Sequence, residues 1–254
     1  MEMEFSFSGQ KVAVNIPSWS ALESRVAEKL SQNSGFALAT INLDHLVKLR
    51  RSRSYRAVYA EQDFITADGN PIVWMSHLAG RPVSLIPGSD AILPLARIAA
   101  GQGVSVALVG SSDDVLQAAR RYMEQQVAGL KIAYTRSPPM GFDPQGDDAR
   151  TILTEVAASG ARLCFVALGA PKQECFAALG RRIAPSVGFA SIGAGLDFFA
   201  GAQKRAPDWA RRHALEWVWR MLTNPRRLAP RYVQCAAILP GQTLRALLLR
   251  LRRR

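Results

Sequence analysis

The chain has little of what builds metal centres or disulfide scaffolds: three cysteines and three histidines in 254 residues. Cys164, Cys175 and Cys235 show no metal-ligand spacing, and three cannot all pair within one chain. No metal site is expected from them. Cys164 lies in an apolar run and reads as a small buried hydrophobe, and nothing beside Cys175 marks a nucleophile. Long apolar runs are also missing; none approaches the roughly 20 residues that span a bilayer. The opening MEMEFSF has neither the basic start nor the apolar stretch of a signal peptide, so a cytoplasmic protein is expected. Neither G-x-G-x-x-G nor G-x-x-x-x-G-K-[ST] occurs, which removes the dinucleotide fingerprint and the P-loop, and with the former a nucleotide-dependent oxidoreductase. No internal repeat or low-complexity segment is present.

Acid is scarce in one place only. Residues 204–254 hold 13 Lys and Arg against Asp208 and Glu216, a net of +11, whereas residues 1–203 are nearly balanced at +1. A basic tail of this kind meets nucleic acid or an anionic membrane face. No nucleic-acid motif accompanies the charge, which favours the membrane. The end, TLRALLLRLRRR (243–254), pairs a leucine face with arginines. A packed C-terminal helix explains the leucines, and interfacial binding to anionic lipid explains the arginines.

An apolar fraction of 48% suits one well-buried domain with an appendage. Runs 4–8 and 11–15 around Gly9-Gln10 predict a short hairpin. From Phe36, apolar runs at 36–41, 63–67, 104–109, 130–135, 162–168 and 187–192 alternate with helical patterns at 43–60, 89–100, 112–128, 147–159 and 172–183. That alternation predicts an α/β fold, a Rossmann-like parallel sheet flanked by helices, over residues 1–203. A basic helical C-terminal appendage over 204–254 follows it. In such sheets ligands bind beyond the carboxyl ends of the strands. Polar and glycine-rich turns fall there: Thr40 and Asn42, Asp68 to Asn70, Gly110 and Ser111, Gly169 to Glu174, and Gly193 to Asp197.

Several of these turns admit two readings. In TADGNPIVW (66–74), Asp68 is either a helix cap or a carboxylate poised as a general base. LVGSSDDV (108–115) offers backbone N–H groups to a phosphate at a helix start, or simply serves the helix dipole. In LGAPKQE (168–174), Pro171 opens a helix; Lys172 there has poor dipole electrostatics, which tilts Lys172 and Gln173 toward ligand contact. Asp197, beside two phenylalanines, needs a partner if buried, and Arg205 is a candidate.

Taken together, TINLDH (40–45), TADGNPIVW, GSD (88–90), LGAPKQE, GAGLDFFAG (193–201), RAP (205–207), EWVWRM (216–221) and PRR (225–227) resemble the WecG/TagA/CpsF family of bacterial glycosyltransferases over roughly residues 36–232. Ser191, Trp219, Asn224 and PPMGFD (138–143) depart from the family pattern. The resemblance implies inverting transfer from a UDP-sugar donor to an undecaprenyl-diphosphate-linked saccharide, typically in a β-1,4 link, at the inner face of the cytoplasmic membrane. It implies Asp68 as base, with Thr40 and Gln173 also catalytic. Asn42, Asn70, Gly110, Ser111, Gly169, Lys172, Glu174, Gly193 and Asp197 are candidates to bind substrate. Arg205, Arg211, Arg212 and Arg220 are candidates to meet the diphosphates. No cofactor is expected and, because Asp-x-Asp is absent, no metal. The leaning is toward glucose as donor sugar, as in xanthan-like exopolysaccharide assembly, with a ManNAc-type donor as the alternative. A homo-oligomer is compatible with the Trp-rich tail. The competing class is a non-enzymatic basic adaptor on the membrane, which leaves the joint occurrence of ADG, PKQE and GAGLDF unexplained.

Overall fold

The computed structural model describes residues 2–251 apart from Ser8, Lys204, Arg205, Asp208, Arg211, Arg212 and Asn224, and leaves the side chains of Arg220 and Arg227 aside. Six parallel strands form the central sheet in the order β4-β3-β8-β7-β5-β6. They are β3 (Ala37–Ile41), β4 (Phe64–Ala67), β5 (Ser105–Gly110), β6 (Ile132–Arg136), β7 (Ala161–Ala167) and β8 (Gly188–Ser191). Except in the partly exposed edge strand β6, their apolar runs are nearly continuous because both faces are covered. Along β5 and β7 the side chains alternate between two cores: Val106, Leu108, Leu163 and Phe165 face one, Ala107, Val109, Cys164 and Val166 the other.

The first core is closed by α1 (Trp19–Ser31), α5 (Gly88–Gly101), α6 (Asp113–Gln126) and the short α9 (Gly195–Phe199). The second is closed by α7 (Asp147–Ala158) and α8 (Lys172–Ile183). A third core joins α2 (Leu43–Arg51), α3 (Arg53–Ala60) and α4 (Asn70–Leu78) to the antiparallel hairpin of β1 (Met3–Phe7) and β2 (Gln10–Val14). The helix anticipated over 43–60 is two. Ser52 is extended, and its hydroxyl accepts from the Tyr55 amide, so it ends α2 and caps α3.

After α9 come α10 (Glu216–Thr223) and α11 (Pro225–Leu251). At 27 residues, α11 is about 40 Å long. It lies on its own body: Cys235, Ile238 and Ala246 are buried in the third core. Arg231 pairs with Asp44 at 3.2 Å, Arg51 donates to Gln234 at 2.9 Å, and Arg245 donates to the Ser6 carbonyl. Burial pushes the Asp44 carboxyl up, but Lys48 and Arg231 outweigh it and hold it below the usual value. The outward side of the last turns carries exposed Leu244, Leu247, Leu248 and Leu251. No helix among the described residues is long and apolar enough to cross a membrane.

Candidate active site

Parallel pairing of β3 with β4 matches Thr40 to Thr66 and Ile41 to Ala67, so Asn42 and Asp68 leave the sheet side by side. The Asp68 amide still bonds the Ile41 carbonyl at 2.8 Å. Its carboxylate Oδ2 accepts from Asn42 Nδ2 at 3.2 Å and, at the limit of range, from Thr40 Oγ1 at 3.5 Å. Asp68 is not a cap. The N-cap of α4 is Gly69, at φ 129° and without a side-chain cap bond, and Asn70 is the helix's first, half-exposed residue. Among the described residues the half-buried Asp68 carboxylate is therefore held by the Asn42 and Thr40 side chains, at the end of a strand where ligands enter such sheets.

Behind it lies a buried polar chain. Asn42 caps α2 by accepting from the His45 amide at 3.1 Å, and its Oδ1 also lies 2.8 Å from His45 Nδ1. His45 Nε2 is 3.6 Å from Glu174 Oε1. Gln173 donates to Glu174 Oε1 at 2.8 Å and accepts from the Gly193 amide at 3.0 Å. Glu174 is fully buried and Gln173 nearly so. Burial pushes the Glu174 carboxyl up, but His45, Gln173 and a backbone N–H outweigh it and hold it below the usual carboxylate value. Burial and then the Glu174 charge push the Tyr59 phenol well up; it donates to the Thr40 carbonyl at 2.5 Å.

A second polar group sits beyond β5. Gly110, at φ 119°, has no room for a Cβ, which would lie 2.3 Å from the Ala167 carbonyl oxygen. Ser111 follows in the left-handed region at φ 55°, a conformation uncommon for a residue with a side chain. Its hydroxyl donates to Asp197 Oδ1 at 2.6 Å, and Gln203 donates to Asp197 Oδ2 at 3.0 Å. Asp197 is half-buried and has these two partners; Arg205, anticipated as its partner, lies outside the described residues.

The structure thus gathers Thr40, Asn42, Asp68, Gln173, Glu174 and Gly193 into one network and Gly110, Ser111 and Asp197 into another. The turn from Gly193 to Asp197 carries members of both. Lys172 is exposed, and its ammonium donates to the Phe142 carbonyl at 2.8 Å. Gly169 accepts from the Gln173 amide. Pro171 is the N-cap of α8 rather than its first residue, and a cis bond joins it to Ala170. Glu174 has no solvent access, so it supports the site from behind. Arg211 and Arg212 are outside the described residues; Arg220 lies on α10 with its side chain undescribed. His45, Tyr59 and Gln203 were missing from the sequence-based candidates. His45 was findable: Asn-x-x-His has the N-cap to N3 spacing of a capping box, and that box is formed. Among the described residues no group of three or more His, Cys, Asp or Glu side chains is placed to hold a metal ion.

A carboxylate and glycine-bounded polar turns at the carboxyl edge of a parallel sheet mark the ligand crevice of an open α/β fold. The model of the WecG/TagA/CpsF glycosyl transferase family matches residues 9–254, and the chain belongs to that family. The match extends beyond both ends of the motif-based range, into the hairpin and through α11. The chain is 34% identical over 200 residues to the N-acetylglucosaminyldiphosphoundecaprenol N-acetyl-beta-D-mannosaminyltransferase of Bacillus spizizenii, covering 78% of this chain and 75% of the relative. It is 30% identical, with the same coverage, to the protein of the same name from Bacillus subtilis. Both relatives transfer N-acetylmannosamine and neither is a glucosyltransferase. The leaning toward glucose and the exopolysaccharide glucosyltransferase branch is thereby corrected.

Proposed function

We propose that the chain transfers an N-acetylmannosamine-type sugar from its UDP conjugate to N-acetylglucosaminyl-diphosphoundecaprenol, with inversion and in a β-1,4 link. The observation that carries the chemistry is the Asp68 carboxylate, free of any capping duty and steadied by Asn42 and Thr40 at the carboxyl edge of the sheet. The donor and acceptor rest on what the two relatives act on.

In this reading Asp68 takes the proton of the acceptor hydroxyl as its oxygen attacks the anomeric carbon from the face opposite UDP. The new C–O bond forms as the bond to the diphosphate breaks. Asn42 and Thr40 hold the carboxylate on line. Gln173 ties the Gly193 turn to α8, and Ser111 with Asp197 forms the second pole of the crevice, suited to the hydroxyls of the donor; Gly110, buried against the Ala167 carbonyl, shapes the turn rather than touching the donor. Arg205, Arg211, Arg212 and Arg220 offer positive charge to the departing diphosphate, so no metal is invoked. The C-terminal segment brings the enzyme to its lipid-linked acceptor: exposed leucines on α11 and exposed Trp209 and Trp217 accompany the tail's +11 charge, a composition suited to the inner, anionic face of the cytoplasmic membrane.

The test is UDP release with UDP-N-acetylmannosamine and UDP-glucose in parallel, a short-chain lipid-diphosphate N-acetylglucosamine acceptor, and EDTA throughout. Acceptor-dependent release with the first donor, lost in Asp68→Ala, is expected. Near-normal turnover by Asp68→Ala would remove the base, and preference for UDP-glucose would overturn the donor.

A further inference from the structure

Positive charge gathers at a second place, away from the tail. Between Asp44 and Glu61 the chain carries Lys48, Arg50, Arg51, Arg53 and Arg56 and no acid. Lys48 is held by Asp44 at 2.7 Å, and Arg56 by Gln10 and the Leu49 carbonyl. Among the described residues Arg51 meets only the Gln234 amide oxygen of α11, and the exposed Arg50 and Arg53 meet no acceptor. The helix dipole favours Arg50 and Arg51 in the last turn of α2, but Arg53 opens α3, where the dipole repels a cation. Folding gives no reason for a cation there. Beside these arginines a cleft of about 450 Å³ opens between α2 and α11, lined by Val47, Arg50, Arg51, Gln234, Ala237 and Ile238. That is room for a small amphiphile.

The α11 wall of the cleft belongs to a longer stripe. Val233, Ala237, Leu244, Leu248 and Leu251 follow at steps of 4, 7, 4 and 3 residues, which sets them on one face of the helix. All are exposed. We propose that the cleft binds one anionic phospholipid of the bilayer on which the enzyme works. Its phosphate lies between Arg50 and Arg51 with Arg53 alongside, and the start of an acyl chain lies on Val47, Ala237 and Ile238. The leucines that continue the stripe enter the same leaflet. The inference rests on the membrane reading of the C-terminal segment and gives it a headgroup site. A free phosphate would leave the apolar wall unused, and a nucleic acid would find no aromatic ring in the lining on which to stack a base. The site stands apart from the reaction: Arg50 is about 12 Å along α2 from Asn42.

The test uses the intact chain, the paired change Arg50→Gln with Arg53→Gln, and Ala237→Trp, which fills the cleft without touching a charge; thermal melts check that each variant folds. Dihexanoylphosphatidylglycerol is titrated as monomers, beside dihexanoylphosphatidylcholine and glycerol phosphate. Saturable one-to-one binding of the first is expected, with the other two weaker by about tenfold or more. The paired change should weaken it about 25-fold, fivefold for each arginine, and Ala237→Trp by about tenfold or more. UDP release on a short-chain acceptor should stay within about twofold in both variants, and its collapse would make the cleft part of the reaction site instead. Equal binding of phosphatidylcholine or glycerol phosphate, or an Ala237→Trp protein that titrates like the parent, would overturn the site. A dimer that Ala237→Trp dissociates, in place of lipid binding, would give the cleft to a second copy. Co-sedimentation with mixed phosphatidylglycerol and phosphatidylcholine vesicles separates the site from the reading beneath it. No binding by the intact chain would sink both, and binding that neither variant weakens would sink the site alone.

Discussion

Replacing Gln173 tests the junction where the buried chain meets the glycine turn. The side chain is 2% exposed and uses both ends, accepting from the Gly193 amide at 3.0 Å and donating to Glu174 at 2.8 Å. Gln173→Ala strips a donor from a buried carboxylate, worth about 1.5–3 kcal/mol. It also leaves the Gly193 N–H without its acceptor; Gly193 is half-buried, so water recovers part of that bond and about 1 kcal/mol is lost. Together these give about 2.5–4 kcal/mol, a large share of a typical domain's stability, and a fall in Tm of roughly 5–15 °C. Gln173→Glu isolates the charge effect. It places a second carboxyl against Glu174, and two contacting carboxylates cannot both ionise in the core. One of them then has a folded-state pKa raised above its unfolded value, so the variant is at its best at low pH and loses stability as pH rises through the raised value. In the native protein the Glu174 carboxyl is held below its ordinary value, so that group changes nothing between pH 5 and 8. Urea melts across that window should show a Gln173→Glu deficit that shrinks toward pH 5, beside a flat Gln173→Ala deficit. Losses below about 0.5 kcal/mol in both variants, or a Gln173→Glu deficit indifferent to pH, would refute the junction.

Two other perturbations probe separate parts of the molecule. Gly110→Ala sets a Cβ 2.3 Å from a backbone oxygen at φ 119°, so it should cost about 1–3 kcal/mol of strain plus the clash and weaken donor binding; an unchanged urea midpoint would show that the turn has slack. Ending the chain after Gly241 removes Arg245, Arg250 and the last three arginines, each worth about 1 kcal/mol near an anionic surface. Co-sedimentation with anionic vesicles should fall sharply and lose its salt dependence, and undiminished binding would move the membrane contact elsewhere.

The sheet was legible because strands buried on both faces are written as apolar runs: 36–41, 63–67 and 187–192 enclose β3, β4 and β8, and β5, β6 and β7 each reach one residue outside 104–109, 130–135 and 162–168. The break at Ser52 was not, since a serine fits a helix interior or a cap equally well until its hydroxyl finds the Tyr55 amide. Asp68 stood between cap and base for the same reason. Only the position of Gly69 as N-cap removed the first reading. Glu174 looked like a ligand-facing residue of a Gly-rich turn, yet α8 enters the core at once and carries it inward, where it faces His45 from more than 120 residues earlier in the chain.

The sequence by itself determined the parallel α/β body, the basic end and the family, because periodicity, charge and a conjunction of local motifs are properties of the chain in order. The tertiary structure alone decided which polar groups share a wall. It joined β3 to β4 so that Asn42 stands beside Asp68, and brought α8 behind α2 so that Glu174 meets His45. It also laid α11 on α2 and α4, pairing Arg231 with Asp44. Those contacts depend on strand order and helix packing, which no local pattern encodes.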